Sequence, residues 1–189
     1  MLKGIIFDFD GVIAESVQVK SDAFAELYKP YGTDIVKKVI DHHEANGGMS
    51  RYEKFKIYHE RYLNKTISEE KLTQLSKLFS RLVVKKVIDC PYVPGVIDFI
   101  KKSYNQYWLF ISTGTPTEEI KMIIRGRGIS KYFSNVFGSP EGKSVHIKKI
   151  INDYELKPEQ LLFFGDSNSD IDAAVSNSLP FILRLHRLN

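Results

Sequence analysis

Short apolar segments at 3–9, 107–111, 135–137, 161–164 and 181–183 alternate with helical patterns over 96–103, 117–125, 144–154 and 170–176. This alternation constrains the fold more than any other feature of the chain. Continuous apolar runs of this length describe strands covered on both faces. Parallel neighbours need a crossover connection, and an intervening helix supplies it. The expected class is therefore α/β, with a doubly wound, Rossmann-like parallel sheet.

Residues 16–89 break the pattern. No strand is evident there, and helical stretches run over 17–29, 34–45, 51–63 and 69–88, punctuated by Pro30-Tyr31-Gly32, Asn46-Gly47-Gly48 and Asn64-Lys65. In the last stretch Leu72, Leu75, Phe79, Leu82 and Val83 form one apolar stripe at helical spacing. Pro91 and Pro94-Gly95 mark the return to the sheet. The expected organisation is a core of 1–15 and 90–189, with a helical cap, 16–89, inserted after the first strand. Thr115, Pro116 and Glu118 predict an N-capped start for the helix that follows residue 111. Ser50 with Glu53 predicts a second capping box inside the insert.

Ligands of open parallel sheets bind beyond the carboxyl ends of the strands. Asp8-Phe9-Asp10-Gly11 ends the first strand, Ser112-Thr113-Gly114-Thr115 the second, and Gly165-Asp166-Ser167-Asn168-Ser169-Asp170 the fourth. Lys143 follows the turn Gly138-Ser139-Pro140. Phosphoryl transfer needs a nucleophile, cations for the phosphate oxygens and an acid/base group. A carboxylate can be that nucleophile, and hard oxygen ligands suit Mg²⁺. Asp8, Asp10, Asp166 and Asp170 supply such groups. The chain's single cysteine, Cys90, excludes an intrachain disulfide or a cysteine zinc cluster. His42 and His43 are adjacent on a helix and face different directions, and His59, His146 and His186 lack ligand-spaced partners, so no histidine is given a role.

Asp8-Phe9-Asp10-Gly11-Val12, Thr113-Gly114-Thr115-Pro116, Lys143 and Gly165-Asp166-x-x-x-Asp170 resemble, in order, the four motifs of the haloacid dehalogenase-like hydrolase superfamily. The helical insert is similar to the cap of its phosphoglycolate-phosphatase and β-phosphoglucomutase branch. The resemblance implies roles. Asp8 would be nucleophile and metal ligand, and Asp10 general acid/base with a backbone carbonyl toward Mg²⁺. Thr113, Gly114 and Lys143 would hold the phosphoryl group. Asp166 and Asp170 would bind the metal, the latter through water. Dehalogenases of the superfamily lack the second aspartate, so Asp10 points to phosphoryl transfer.

The expectation is a Mg²⁺-dependent phosphatase acting on a small phosphorylated metabolite through an aspartyl-phosphate. Arg51 and Glu15 are candidate substrate contacts from the insert and its hinge. A phosphomutase sharing the same intermediate is the alternative, and a non-catalytic binding module a distant one. Net charge is +4, but the lysines are scattered and form no dense block, so no nucleic-acid partner is expected. No apolar run reaches the ~18 residues of a membrane span, and no signal peptide is apparent. A cytoplasmic enzyme is the default expectation. Oligomeric state and substrate identity (phosphoglycolate, sugar phosphate, nucleotide or amino-sugar phosphate) stay open.

Overall fold

The computed structural model describes residues 1–186. Five parallel strands form one sheet in the order β3-β2-β1-β4-β5, comprising β1 (Gly4–Phe7), β2 (Trp108–Pro116), β3 (Asn135–Ser139), β4 (Leu161–Gly165) and β5 (Phe181–Leu183). Helices α5 (Val96–Ser103), α6 (Thr117–Gly126), α7 (Lys143–Asp153) and α8 (Asn168–Ser176) make the crossovers. This is the α/β doubly wound sheet that the alternation dictates.

Side-chain alternation divides each central strand between two apolar layers. Ile5, Phe7, Leu109 and Ile111 enter one cluster, whereas Ile6, Phe110 and Phe163 enter the other with Ile147, Ile150, Ala173 and Ala174 of α7 and α8. Both faces of β1 are thus dry, and Ile5, Ile6 and Phe7 are all buried. Truncating one such side chain to alanine costs about 2–5 kcal/mol.

Between β1 and α5 lie α1 (Val17–Tyr28), α2 (Thr33–Ala45), α3 (Arg51–Ile57), a π-helical turn at Tyr58–Tyr62, and α4 (Glu69–Asp89). Phe24, Tyr28, Val39, Phe55, Tyr58, Phe79 and Val83 of these helices belong to the same cluster as Ile5 and Phe7. The insert and one sheet face therefore share a continuous apolar core. Arg127 ties them again: its guanidinium donates to the carbonyls of Val87, Ile88 and Cys90 at the end of α4 and lies 4.0 Å over the Tyr92 ring. No helix among the described residues is long and apolar enough to cross a membrane.

Five local expectations are corrected. The first strand ends at Phe7, so Asp8 and Asp10 sit on the loop beyond it. The second runs on to Pro116 because it pairs with β3 as far as Pro116↔Ser139. Thr115 consequently caps nothing: Pro116 is the N-cap of α6, and no side chain bonds the helix start. The 51–63 helix breaks at Tyr58, where the ladder widens into the π turn. At the start of α3 only half the predicted box forms, with the Ser50 hydroxyl accepting from the Tyr52 amide.

Candidate active site

Parallel strands bring the carboxyl ends of β1, β2 and β4 to one edge, and the loops beyond them converge. The Asp8 amide donates to the Phe164 carbonyl at 2.9 Å, which carries the sheet ladder one residue past β1. The Phe9 amide then donates to Asp8 Oδ1 at 2.6 Å, and Phe9 turns into the core. Gly11 has φ +76°, and a Cβ there would lie 2.0 Å from Asp166 Oδ2. Only glycine allows that loop to pass the second acidic loop so closely. Gly11→Ala is expected to cut turnover at least tenfold by displacing Asp166; steady-state kinetics within twofold of the wild type would refute it.

Asp8, Asp166 and Asp170 are buried, with carboxylate oxygens all within 4.8 Å of one another. Lys143, the first residue of α7, sits among them, its ammonium donating to Asp8 Oδ2 at 2.7 Å and Asp170 Oδ1 at 2.5 Å. Asp170 is placed by a capping box of α8: its Oδ2 accepts from the Ser167 amide at 3.1 Å and the Ser167 hydroxyl at 2.5 Å. His186 Nε2 lies 2.8 Å from Asp166 Oδ2.

Among the described residues, Asp8, Asp166 and Asp170 crowd three buried carboxylates around the Lys143 ammonium. Burial raises the Asp8 pKa to about 6, with Asp170 and Asp10 adding to the rise and Lys143 opposing it. Burial, then Asp8 and Asp170, raise Asp166 to about 8. Burial alone would lower Lys143, but Asp170 and Asp8 outweigh it and push it up, so it stays charged. Crowded hard oxygens that hold protons too tightly are the donor set of a divalent cation such as Mg²⁺. The residues present fit that ion.

Asp10 is held differently. Its carboxylate accepts from Ser16 Oγ at 2.6 Å, from Thr115 Oγ1 at 3.2 Å and from the Lys20 ammonium, which also donates to Thr115 Oγ1 at 2.7 Å. Burial would raise its pKa, but the Lys20 charge and these hydrogen bonds override it and hold Asp10 below the ordinary value. Two aspartates one residue apart on either side of Phe9 are thereby pushed in opposite directions, which is how one site obtains two carboxylate roles.

A cavity of about 390 Å³ opens above these groups, walled by Asp8, Asp10, Thr113, Gly114 and Asp166 from the sheet edge and by Lys20, His43 and Gly48 from the insert. Thr113 is buried and lines the cavity with Asp8, and its hydroxyl accepts from the Thr115 amide at 3.3 Å. A Cβ on Gly114 would lie 2.3 Å from the Gly48 carbonyl oxygen, so a glycine is what lets the insert close down on β2.

The structure thus brings Asp8, Asp10, Thr113, Gly114, Lys143, Asp166 and Asp170 together. It treats the two insert candidates otherwise. Arg51 borders the cavity, but its guanidinium grips both oxygens of Glu119 and the Ser80 hydroxyl. Glu15 does not line the cavity; it pairs with Arg184 at 2.6 Å.

Sequence reasoning missed Lys20, Lys54 and Glu119, took Thr115 only as a helix cap and gave His43 no role. One signal was available for some of them. Ser16, the N-cap of α1, lies at i with Lys20 and Phe24 at i+4 and i+8, and Arg51, Lys54, Phe55 and Tyr58 share one stripe running from α3 into the π turn. A cation inside an otherwise apolar stripe is buried and has to find partners. His43, given no role from the sequence, is buried as well.

A family model described as haloacid dehalogenase-like hydrolase matches residues 5–183. A phosphorylated carbohydrates phosphatase of Thermotoga maritima is 28% identical over 200 residues, covering 100% of this chain and 88% of the relative. A phosphoglycolate phosphatase of Pasteurella multocida is 25% identical over 186 residues, covering 91% and 80%. Among solved structures, a β-phosphoglucomutase from Clostridium difficile superposes with a TM-score of 0.79 at 20% identity, covering 97% of this chain and 84% of that one.

Proposed function

Because the chain belongs to the haloacid dehalogenase-like hydrolase family, we propose that it is a magnesium-dependent phosphatase that cleaves small phosphorylated metabolites through a phosphorylated Asp8. The observation that carries this reading is the Asp8–Lys143–Asp170 chain with Asp166 alongside, capped by a separately held Asp10. Sequence relatives whose names are phosphatases support the reaction class.

In the first step an Asp8 oxygen bonds to phosphorus, the ester P–O bond breaks, and the leaving oxygen takes a proton from Asp10. In the second, Asp10 removes a proton from water, whose oxygen attacks the same phosphorus and releases inorganic phosphate from Asp8. Lys20, Ser16 and Thr115 favour the ionised Asp10 that the second step uses. Protonated Asp10 in the first step requires substrate to loosen the Lys20 contact. Lys143 and the Thr113 hydroxyl bind phosphoryl oxygens and fix their orientation. Asp8, Asp166 and Asp170 would hold Mg²⁺, which when bound neutralises charge on the phosphoryl group.

The test is phosphate release across phosphoglycolate, sugar phosphates, amino-sugar phosphates and nucleotides, with Mg²⁺ and with chelator. Release is expected from at least one ester only with the metal present. Chelator-insensitive release would sink the metal assignment, and an isomerised sugar phosphate without free phosphate would replace hydrolysis by mutase chemistry. Protons also compete with the cation at Asp8 and Asp166, whose pKa values are raised to about 6 and about 8. The Mg²⁺ concentration for half-maximal activity should therefore fall as pH rises through that interval. A pH-independent requirement would show that these carboxylates are not the ligands.

A further inference from the structure

The cations at the cavity are partnered unequally. Lys20 is paired with Asp10, Arg51 with Glu119, and Lys143 beneath them with Asp8 and Asp170. Lys54 is buried at 1% exposure on the cavity wall and makes no ion pair among the described residues. Its ammonium donates to His43 Nδ1 at 2.7 Å and, longer, to the His43 carbonyl at 3.3 Å. An ammonium has three donors, so one is left uncommitted.

His43 supplies another. Its Nδ1 accepts from Lys54, so the ring proton sits on Nε2. That nitrogen is buried, faces no protein acceptor, and belongs to a residue lining the same cavity. Burial, then the Lys54 charge, lower the His43 pKa to about 2, which keeps the ring neutral and this tautomer in place.

We propose that Lys54 and His43 form a receptor for a second anionic group of the substrate, so that the site selects phosphomonoesters carrying a carboxylate or second phosphate remote from the reacting phosphoryl group. This rests on the phosphatase reading above. Two unpartnered donors in a largely dry wall are costly unless an acceptor reaches them. The Phe24 ring centroid lies 5.7 Å from the Lys54 ammonium, and Phe79 lines the same cavity, so aromatic surface rather than a competing acceptor flanks the pair. Burial and the neighbouring charge of Lys20 lower the Lys54 pKa to about 7, consistent with a site short of negative charge at that point. Glu44 also lines the cavity, but the Ser21 hydroxyl donates to it at 3.4 Å and it forms no pair with Lys54. A purely structural role, Lys54 capping the carboxyl end of α2 through the His43 carbonyl, leaves the His43 Nε2 unexplained.

The test uses the full chain with Mg²⁺ and three esters of similar size: 2-phosphoglycolate, ethane-1,2-diol bisphosphate and the neutral 2-hydroxyethyl phosphate. For the wild type, kcat/KM on one or both anionic esters should exceed that on the neutral ester about ten- to a hundredfold, the scale of a charge-assisted hydrogen bond. Which anion is preferred identifies the group that binds. In Lys54→Met the ratio should fall to about one through KM, and Lys54→Arg should keep most of it. The wild-type comparison stands even if Lys54→Met does not fold. Equal turnover of all three esters by the wild type, or an unchanged ratio in Lys54→Met, overturns the receptor while leaving the phosphatase reading intact. Release from none of the three or from any other phosphomonoester overturns both.

Discussion

Replacing Asp8 with asparagine is expected to remove phosphate release almost completely, by about a million-fold, the scale seen when an enzyme nucleophile is deleted. The amide cannot form the acyl-phosphate, and no other described carboxylate occupies its place: Asp10 is bound by Lys20, Ser16 and Thr115, and Asp170 by Ser167 and Lys143. Phosphate release and acid-stable labelling of the protein during turnover are the readouts. Turnover within a hundredfold of the wild type would disprove the nucleophile assignment.

The same substitution carries an opposite expectation for stability. The folded-state pKa of Asp8 is about 6, above its ordinary 3.8, and the residue is 2% exposed. A raised carboxylate contributes stability that is complete below the unfolded pKa and is lost as pH rises through the folded one. Above pH 6 the ionised, metal-free Asp8 therefore costs on the order of 3 kcal/mol. Asp8→Asn should melt higher than the wild type at pH 8 in chelator and lose the decline between these two pKa values. Lower melting in chelator would mean that the Lys143 contact outweighs the crowding.

What the sequence disclosed follows from the range of the interactions involved. β1, β2 and β4 are buried on both faces, so each strand carries its own signal regardless of partners, and the acidic loops follow them directly. Asp8 and Asp166 were legible because each directly follows a strand whose direction the parallel sheet imposes, and Asp170 because it stands four residues on, in the first turn of α8. Thr115 was misassigned because a threonine before a proline satisfies local capping rules; the β2–β3 pairing to Ser139 overrides them and turns its hydroxyl to Asp10. Lys20, Lys54 and His43 depend on how α1, α2 and α3 dock over the sheet edge. Helical spacing shows that they are on the inner face, but not which groups they meet there.

Arg51 shows the same limit, and a measurement can separate its two readings. As a substrate contact, its removal would raise KM and leave the fold untouched. The structure instead buries it at 4% exposure against Glu119 at 6%, bonded through both nitrogens, one of them at 2.9 Å, with the guanidinium 4.5 Å over the Phe79 ring. The Ser80 hydroxyl donates to the same carboxylate. Arg51 and Ser80 come from α3 and α4 of the insert and Glu119 from α6 of the core, so the pair closes the seam between them. Removing one partner of a buried pair leaves the other charged and dry, which costs about 3–5 kcal/mol. Glu119→Ala is thus expected to lower Tm by about 10 °C or more for a chain of this length. Arg51→Met combined with Glu119→Leu should recover most of the loss, because two apolar groups desolvate without penalty. The exposed Lys56–Glu69 pair, 49% and 86% accessible, is the control, and its loss should cost less than about 1 kcal/mol. Loss of activity in Arg51→Met with an unchanged Tm would return Arg51 to the substrate.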